Sequence, residues 1–299
     1  SAEGVTPMEV SDIPDQILPG GPPDEDHMQP EQTNTRFNRF ELVRKDLIMD
    51  TIYPKLQSTL NHWKPTFQPA SRLKLEQRLD LWILPWIPHL DHPAILPNLL
   101  SDCKRKLKSS LSYLQRKIGK SDDMDFVRAA KDILKPWIRV YDPSVIQRMG
   151  SEYITPYLAR ALSQQEIHRD AHQQDWKSIH LSLELYSLGI LSSTEFLSVM
   201  EAELLRHWAS RTNEMLLLQE ITVVQAARNY CLWKGKVMRV PLIKNDDRIC
   251  RIFYTILRMI ELAFQSKMDD LEDLHPPTTS YHVAAARRTK DQQNKAQDD

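Results

Sequence analysis

The sequence predicts an all-α protein: an irregular α-solenoid, or helical-hairpin array, with a disordered segment at each end. Three observations predict it. The 299-residue chain holds long apolar stripes at helical spacing and no convincing alternating run of the kind a half-buried strand shows. Only Gly119, Gly150, Gly189 and Gly235 fall between residues 36 and 265. A short pattern also recurs, aliphatic–any–Pro–(aromatic or basic)–aliphatic. It reads Ile52-Tyr53-Pro54-Lys55-Leu56, Ile83-Leu84-Pro85-Trp86-Ile87, Leu134-Lys135-Pro136-Trp137-Ile138 and Ile154-Thr155-Pro156-Tyr157-Leu158. Proline removes a backbone donor and bends or starts a helix, so these steps point to kinked, stacked helices in a curved array. Such a chain works by presenting a surface, and none of the four copies contains a catalytic constellation.

Residues 1–35 carry eight acids and no Lys or Arg. They bury too little apolar surface to offset chain entropy and are read as disordered. Phe40, Val43, Leu47, Ile52, Leu56 and Leu60 step at helical spacing and give a first helix. Leu96, Leu100, Cys103, Leu107, Leu111, Leu114 and Ile118 form the cleanest amphipathic stripe. A shorter helix covers about 123–140 around Pro136. Another starts at Pro143, with Asp142 as its N-cap. Further helices are predicted over about 168–188, 194–211, 214–238 and 246–265, capped by Ser193 or Thr194 and by Asn245 or Asp246. From about Lys267 the pattern fails, Pro276-Pro277 follows, and 266–299 is read as a second disordered segment. One helical domain over 36–265, with about nine helices, is the expectation. The proline steps lie 31, 51 and 20 residues apart, which rules out a strict tetratricopeptide or ankyrin register.

The net charge of −1 conceals a partition. Residues 36–265 hold 34 basic against 25 acidic side chains, a net of +9, between two acidic ends. Cys103, Cys231 and Cys250 are odd in number and widely spaced, which suits a reducing compartment better than a disulfide framework. The most apolar stretch, Ile249 to Phe264, is interrupted by Arg251, Arg258 and Glu261. It reads as a packed amphipathic helix, with no role in a membrane.

Chemistry-bearing patterns are few. His168 and His172 lie four apart, with Asp175 behind them, a spacing that places two imidazoles on one helix face for a metal. The plainer reading is a polar helix face, since the glutamate of a metalloprotease helix is missing. His89 and His92 flank prolines and read as turn residues. No phosphate-cradling glycine loop, dinucleotide fingerprint or nucleophile elbow occurs, so no enzyme, cofactor or metal is expected. The group Lys104-Arg105-Lys106-Leu107-Lys108, with Arg116 beyond, offers a basic helix face. Lys104, Arg105, Lys108 and Arg116 are its candidate partner-binding residues, for a protein or for sequence-blind electrostatic contact with RNA. Trp63, Trp82, Trp86 and Trp137, with Pro54, Pro85 and Pro136, are the expected structural core of the helix junctions, Trp86 and Trp137 above all.

The run Asp50-Thr51-Ile52-Tyr53-Pro54-Lys55-Leu56-Gln57, followed by Asn61-His62-Trp63-Lys64-Pro65, resembles the tuftelin-interacting protein family of G-patch splicing factors. The similarity lies in their C-terminal GC-rich-sequence DNA-binding-factor-like domain. Trp82-Ile83-Leu84-Pro85-Trp86-Ile87-Pro88 is similar to the family's Trp-x-x-Pro-Trp-aliphatic-Pro element, and Leu134-Lys135-Pro136-Trp137 to a later Leu-x-Pro-Trp. His172-Gln173-Gln174 and Leu232-Trp233-Lys234 resemble further positions, although the family tends to carry tryptophan where Asn229 stands and glycine where Leu232 stands. The resemblance spans about 37–265. It implies a nuclear, non-catalytic scaffold that docks an activator of a DEAH-box RNA helicase onto the spliceosome, for disassembly and intron-lariat release. The helicase itself would be engaged by a G-patch, which is missing from this chain. With Ser1 at its start, the chain is expected to be the C-terminal part of a longer family member. A nucleic-acid-binding module and a transcription-related relative are the rival readings.

Overall fold

The computed structural model describes residues 42–64, 78–90, 95–118, 122–274 and 279–298. The chain divides into two compact units, 1–52 and 53–299. In the first, the described part is a helix over 42–47 and a π turn, Ile48–Ile52, with Ile48 buried and Leu42, Val43 and Leu47 exposed. The second is an irregular array of helices: α1 (Tyr53–His62), α2 (Leu79–Ile83), α3 (Leu96–Ile118), α4 (Asp123–Leu134), α5 (Pro143–Met149), α6 (Thr155–Ser163), α7 (Lys177–Ser187), α8 (Ser193–Val199), α9 (Arg206–Leu217), α10 (Val223–Val237), α11 (Pro241–Lys244), α12 (Asp247–Phe264), α13 (Met268–Glu272) and α14 (Tyr281–Asp298). All regular elements among the described residues are helical, and none of these helices is long and apolar enough to cross a membrane.

The four proline steps fall where the helical hydrogen-bond pattern changes. Pro54 and Pro156 are the second residues of α1 and α6, each straight after a π turn, Ile48–Ile52 and Gly150–Ile154. Pro85 and Pro136 sit in 3₁₀ turns, Leu84–His89 and Lys135–Trp137, straight after α2 and α4. The steric reason is one and the same. A proline ring collides with the carbonyl four residues back, so the chain either widens the preceding turn or tightens the following one. In the Gly150 turn, the freed Gly150 carbonyl accepts from the Thr155 amide and, at 3.3 Å, from Thr155 Oγ1.

Side chains fix most helix starts. Asp122 accepts from the amides of Met124 and Asp125, Asp142 from Ser144, and Asp246 from Ile249. Ser192 with Glu195, and Thr222 with Gln225, form capping boxes at α8 and α10. Gly189 has a φ of 72°, and the Ile190 amide donates back to the Leu185 carbonyl, ending α7 in a left-handed turn that suits glycine. Gly150 is required for another reason. A Cβ there would stand 2.1 Å from the Ile190 carbonyl oxygen, so two backbones meet where no side chain fits.

Packing is mostly between near neighbours in sequence: α3 on α4, α4 on α6, α6 on α7, α9 and α10 on α12. Leu99, Cys103, Leu107, Leu111 and Leu114 are the buried stripe of α3, and Phe126 of α4 meets Tyr157 of α6 at 4.1 Å between ring centroids. A second core is aromatic. Trp208 of α9 stacks on Trp233 of α10 at 4.7 Å and meets Phe253 of α12 at 5.3 Å, while Trp176 closes on Trp233 at 4.9 Å. Trp233 is thus buried between two other tryptophan rings. Buried Asn229 bridges the chain before α7, accepting from the Ala171 amide and donating to the Arg169 carbonyl.

Several expectations are corrected. The tail 266–299 contains α13 and the long α14, which packs on α8 and on the π turn Met200–Leu205. Buried Leu271, Ala284 and Arg288 hold it there, so a few well-placed groups offset its polar composition. Residues 1–35 lie outside the described residues. Trp86 is 38% exposed, because the 3₁₀ turn around Pro85 rotates it outward, and Pro54 and Pro85 are exposed as well. Trp137, at 1% exposed, does fill the junction after α4, while Trp63, Trp82 and Pro136 are half-buried. The helix foreseen over 168–188 starts only at Lys177. Asp170 caps a short 3₁₀ turn, Ala171–Gln173, and extended Gln174 donates back to the Glu166 carbonyl. The break foreseen near 211–214 lies at 218–222 instead, where Gln219 takes a positive φ and Thr222 opens α10.

Candidate docking surface

The candidate surface begins with α3. Its stripe from Leu99 to Leu114 is buried, so the helix is rigidly seated and its other side faces outward. On that side Lys104 is half-buried, and Arg105 and Arg116 are exposed. Arg105 pairs with Asp102 at 2.9 Å within the same helix. Lys108 reaches across to Glu152 of the π turn at 2.8 Å. That hydrogen bond, outweighing slight desolvation, holds the Glu152 carboxyl below the usual carboxylate range. Lys106 points elsewhere and donates to the carbonyls of Asn61 and Trp63, at 3.0 and 3.1 Å, satisfying the C-terminal end of α1. Of the four residues that the sequence singles out, Lys104 and Arg116 carry no ion pair among the described residues. Arg105 and Lys108 are partly neutralised.

The metal candidates are not assembled. His168 lies before the 3₁₀ turn and His172 inside it, so they share no α-helical face. Asp175 is used at the start of α7, accepting from the Lys177 amide at 2.9 Å. His89 packs edge-on against Trp86, and His92 lies outside the described residues. No cluster of three or more metal-ligating side chains occurs among the described residues. Cys103 is sealed in the core, where burial, helped by the Asp102 charge, pushes its thiol up to about 12, so it is no nucleophile at neutral pH.

Sequence reasoning passed over two groups. One is a buried ionic cluster. Arg288 of α14 pairs with Glu201 at 2.6 Å and with Asp246, and Glu201 also accepts from Arg206 at 3.0 Å. Its one legible signal is the pair Glu201 and Glu203 inside the otherwise mostly apolar run from Phe196 to Leu205. The other is the outer face of α12, where Tyr254 and Phe264 are 76% and 77% exposed. Tyr254 lies three residues after Arg251 and four before Arg258, so its place on the polar side follows from helical spacing.

Residues 25–212 match the family model for GC-rich sequence DNA-binding factor-like protein. Among curated proteins, the chain is 28% identical over 166 residues to tuftelin-interacting protein 11 of Oryctolagus cuniculus, covering 56% of this chain and 17% of that one. It is 25% identical over 267 residues to the septin and tuftelin-interacting protein 1 homolog of Dictyostelium discoideum, covering 78% and 28%. A G-patch domain-containing protein of Schizosaccharomyces pombe is 25% identical over 208 residues, covering 69% and 23%. The chain thus spans less than a third of the length of these relatives.

Proposed function

The chain belongs to the GC-rich sequence DNA-binding factor-like family, and from that membership we propose that it is the non-catalytic scaffold region of a nuclear pre-mRNA splicing factor. In this reading it docks an activator of a DEAH-box RNA helicase onto the spliceosome, for disassembly and release of the intron lariat. The names of its relatives support the reading, since one is a G-patch domain-containing protein and others are tuftelin-interacting proteins. The family description itself names a binding factor and no reaction.

The observation that carries the docking role is the outer side of α3, which presents Lys104, Arg105 and Arg116 from a helix immobilised by its buried stripe. A cationic face on a seated helix steers and orients an acidic partner without the cost of ordering the backbone that carries it. Lys108 serves the fold through Glu152, so the test spares it. Lys104→Glu, Arg105→Glu and Arg116→Glu together should leave the far-ultraviolet spectrum unchanged. They should weaken capture of spliceosomal particles from nuclear extract, most strongly at low ionic strength. Equal capture by variant and parent at both low and moderate salt refutes α3 as the docking face.

A further inference from the structure

The basic excess of the body is also concentrated at its other end. Residues 223–264, from the start of α10 to the end of α12, hold eight Lys and Arg against three acids, a net of +5. Two of the three acids are committed, Asp246 to Arg288 and Glu261 to Arg258. Lys234, Lys244 and Arg251 are exposed and have no carboxylate partner among the described residues. Arg251 shares a face of α12 with the exposed ring of Tyr254, and Lys234 and Lys244 lie on the elements that adjoin α12. The Lys244 carbonyl accepts from Cys250 Sγ at 3.4 Å, which sets the α11 turn against the first turns of α12, beside Arg251. Tyr230 of α10 meets Phe253 of α12 at 6.0 Å, and Lys234, one turn on from Tyr230, rests its ammonium 5.6 Å from the Tyr230 ring. Tyr254 itself is 76% exposed, one helical turn from Arg251 and one from Arg258.

We propose that the outer faces of α10 and α12 bind single-stranded RNA, with Lys234, Lys244 and Arg251 on phosphates and Tyr254 as the stacking platform for a base. Cations without a carboxylate partner, on the same pair of packed helices as a solvent-facing aromatic ring, match the two things a single strand offers, a polyanionic backbone and free base faces. A duplex hides its base faces, and a run of carboxylates alone offers no planar ring to stack on Tyr254. The choice of RNA over single-stranded DNA rests on the splicing reading above. The surface is distinct from α3, whose Lys106 and Lys108 are taken up by the α1 carbonyls and Glu152.

The test is fluorescence anisotropy of a short fluorescein-labelled oligouridylate with the whole 299-residue chain. The parent should bind, with affinity falling linearly in log–log fashion as salt rises. Tyr254→Ala should weaken binding by about 5- to 100-fold, and Tyr254→Phe should retain it. Lys234→Glu, Lys244→Glu and Arg251→Glu together should abolish binding and leave the circular dichroism unchanged. The α3 triple variant should bind as the parent does. The inference is overturned if the parent does not bind, if Tyr254→Ala binds as tightly as the parent, or if polyglutamate competes as well as unlabelled oligouridylate. Any of these results leaves the α3 docking experiment untouched, so the two failures are separable.

Discussion

Replacing Trp208 by alanine should lower the stability of the second unit by about 3–5 kcal/mol, as deletion of a buried tryptophan does. Trp208 is 2% exposed and is the hub of the aromatic core, stacked on Trp233 and packed on Phe253 and Tyr230. Its loss opens a cavity shared by α9, α10 and α12, which cannot close without moving three helices. The loss is a large share of the roughly 5–15 kcal/mol typical of a domain. Urea unfolding checks it: the midpoint should fall sharply with little change in slope. Trp86→Ala is the built-in contrast. Its ring is 38% exposed, and its removal should shift the midpoint far less. Equal shifts in the two variants would refute the assignment of Trp208 as a hub.

Arg288→Leu should be comparably damaging, by about 3–5 kcal/mol, because it strands the buried Glu201 carboxylate and the half-buried Asp246 one. The Glu201 and Asp246 side chains are 3% and 13% exposed, and Arg206 alone remains to balance Glu201. The effect also has a pH signature. Burial pushes the Asp246 carboxyl up, but the Arg288 hydrogen bonds, the Ile249 amide and the charges of Arg288 and Arg248 outweigh it and hold the group below the usual range. A carboxyl depressed in the folded state adds stability above its unfolded pKa of about 3.9, and that stability is lost as pH falls through the folded value. In Arg288→Leu the burial effect prevails, the Asp246 carboxyl moves upward, and acid unfolding should begin at a higher pH than in the parent. Far-ultraviolet circular dichroism across an acid titration reads this directly, and coincident acid transitions would contradict it. Because α14 is tied down chiefly by this cluster, by Arg248 with Asp291 and by Glu203 on the Tyr281 amide, it should also become sensitive to protease in the variant.

What could be read from the sequence follows from local physics. The α3 stripe declared itself because its period is long and uninterrupted. Asp142, with Asp246 as one of two candidates, was legible as a cap because a cap acts within three residues, whereas Ser192 caps α8 in place of the expected Ser193 or Thr194. The proline steps marked real junctions, yet their sequence could not say which way each ring faces. Trp137 turns inward and Trp86 outward from the same motif, because the tight turns that carry them sit differently against their neighbours. The C-terminal helix escaped notice because its anchorage is long-range: Arg288 meets Glu201 across 87 residues of chain. No window-based periodicity registers such a pair. The candidate docking residues were legible as charges, but their engagement was not, since the partner of Lys108 stands 44 residues away.

The most direct test of the scaffold reading is amine-reactive cross-linking of this chain within purified spliceosomes, followed by mass spectrometry. Lys104, half-buried on the outer side of α3 and without an ion-pair partner among the described residues, should link to proteins of the particle. It should do so most strongly in particles poised for disassembly. Links from Lys104 confined to this chain itself, with none to spliceosomal proteins, would contradict the scaffold reading.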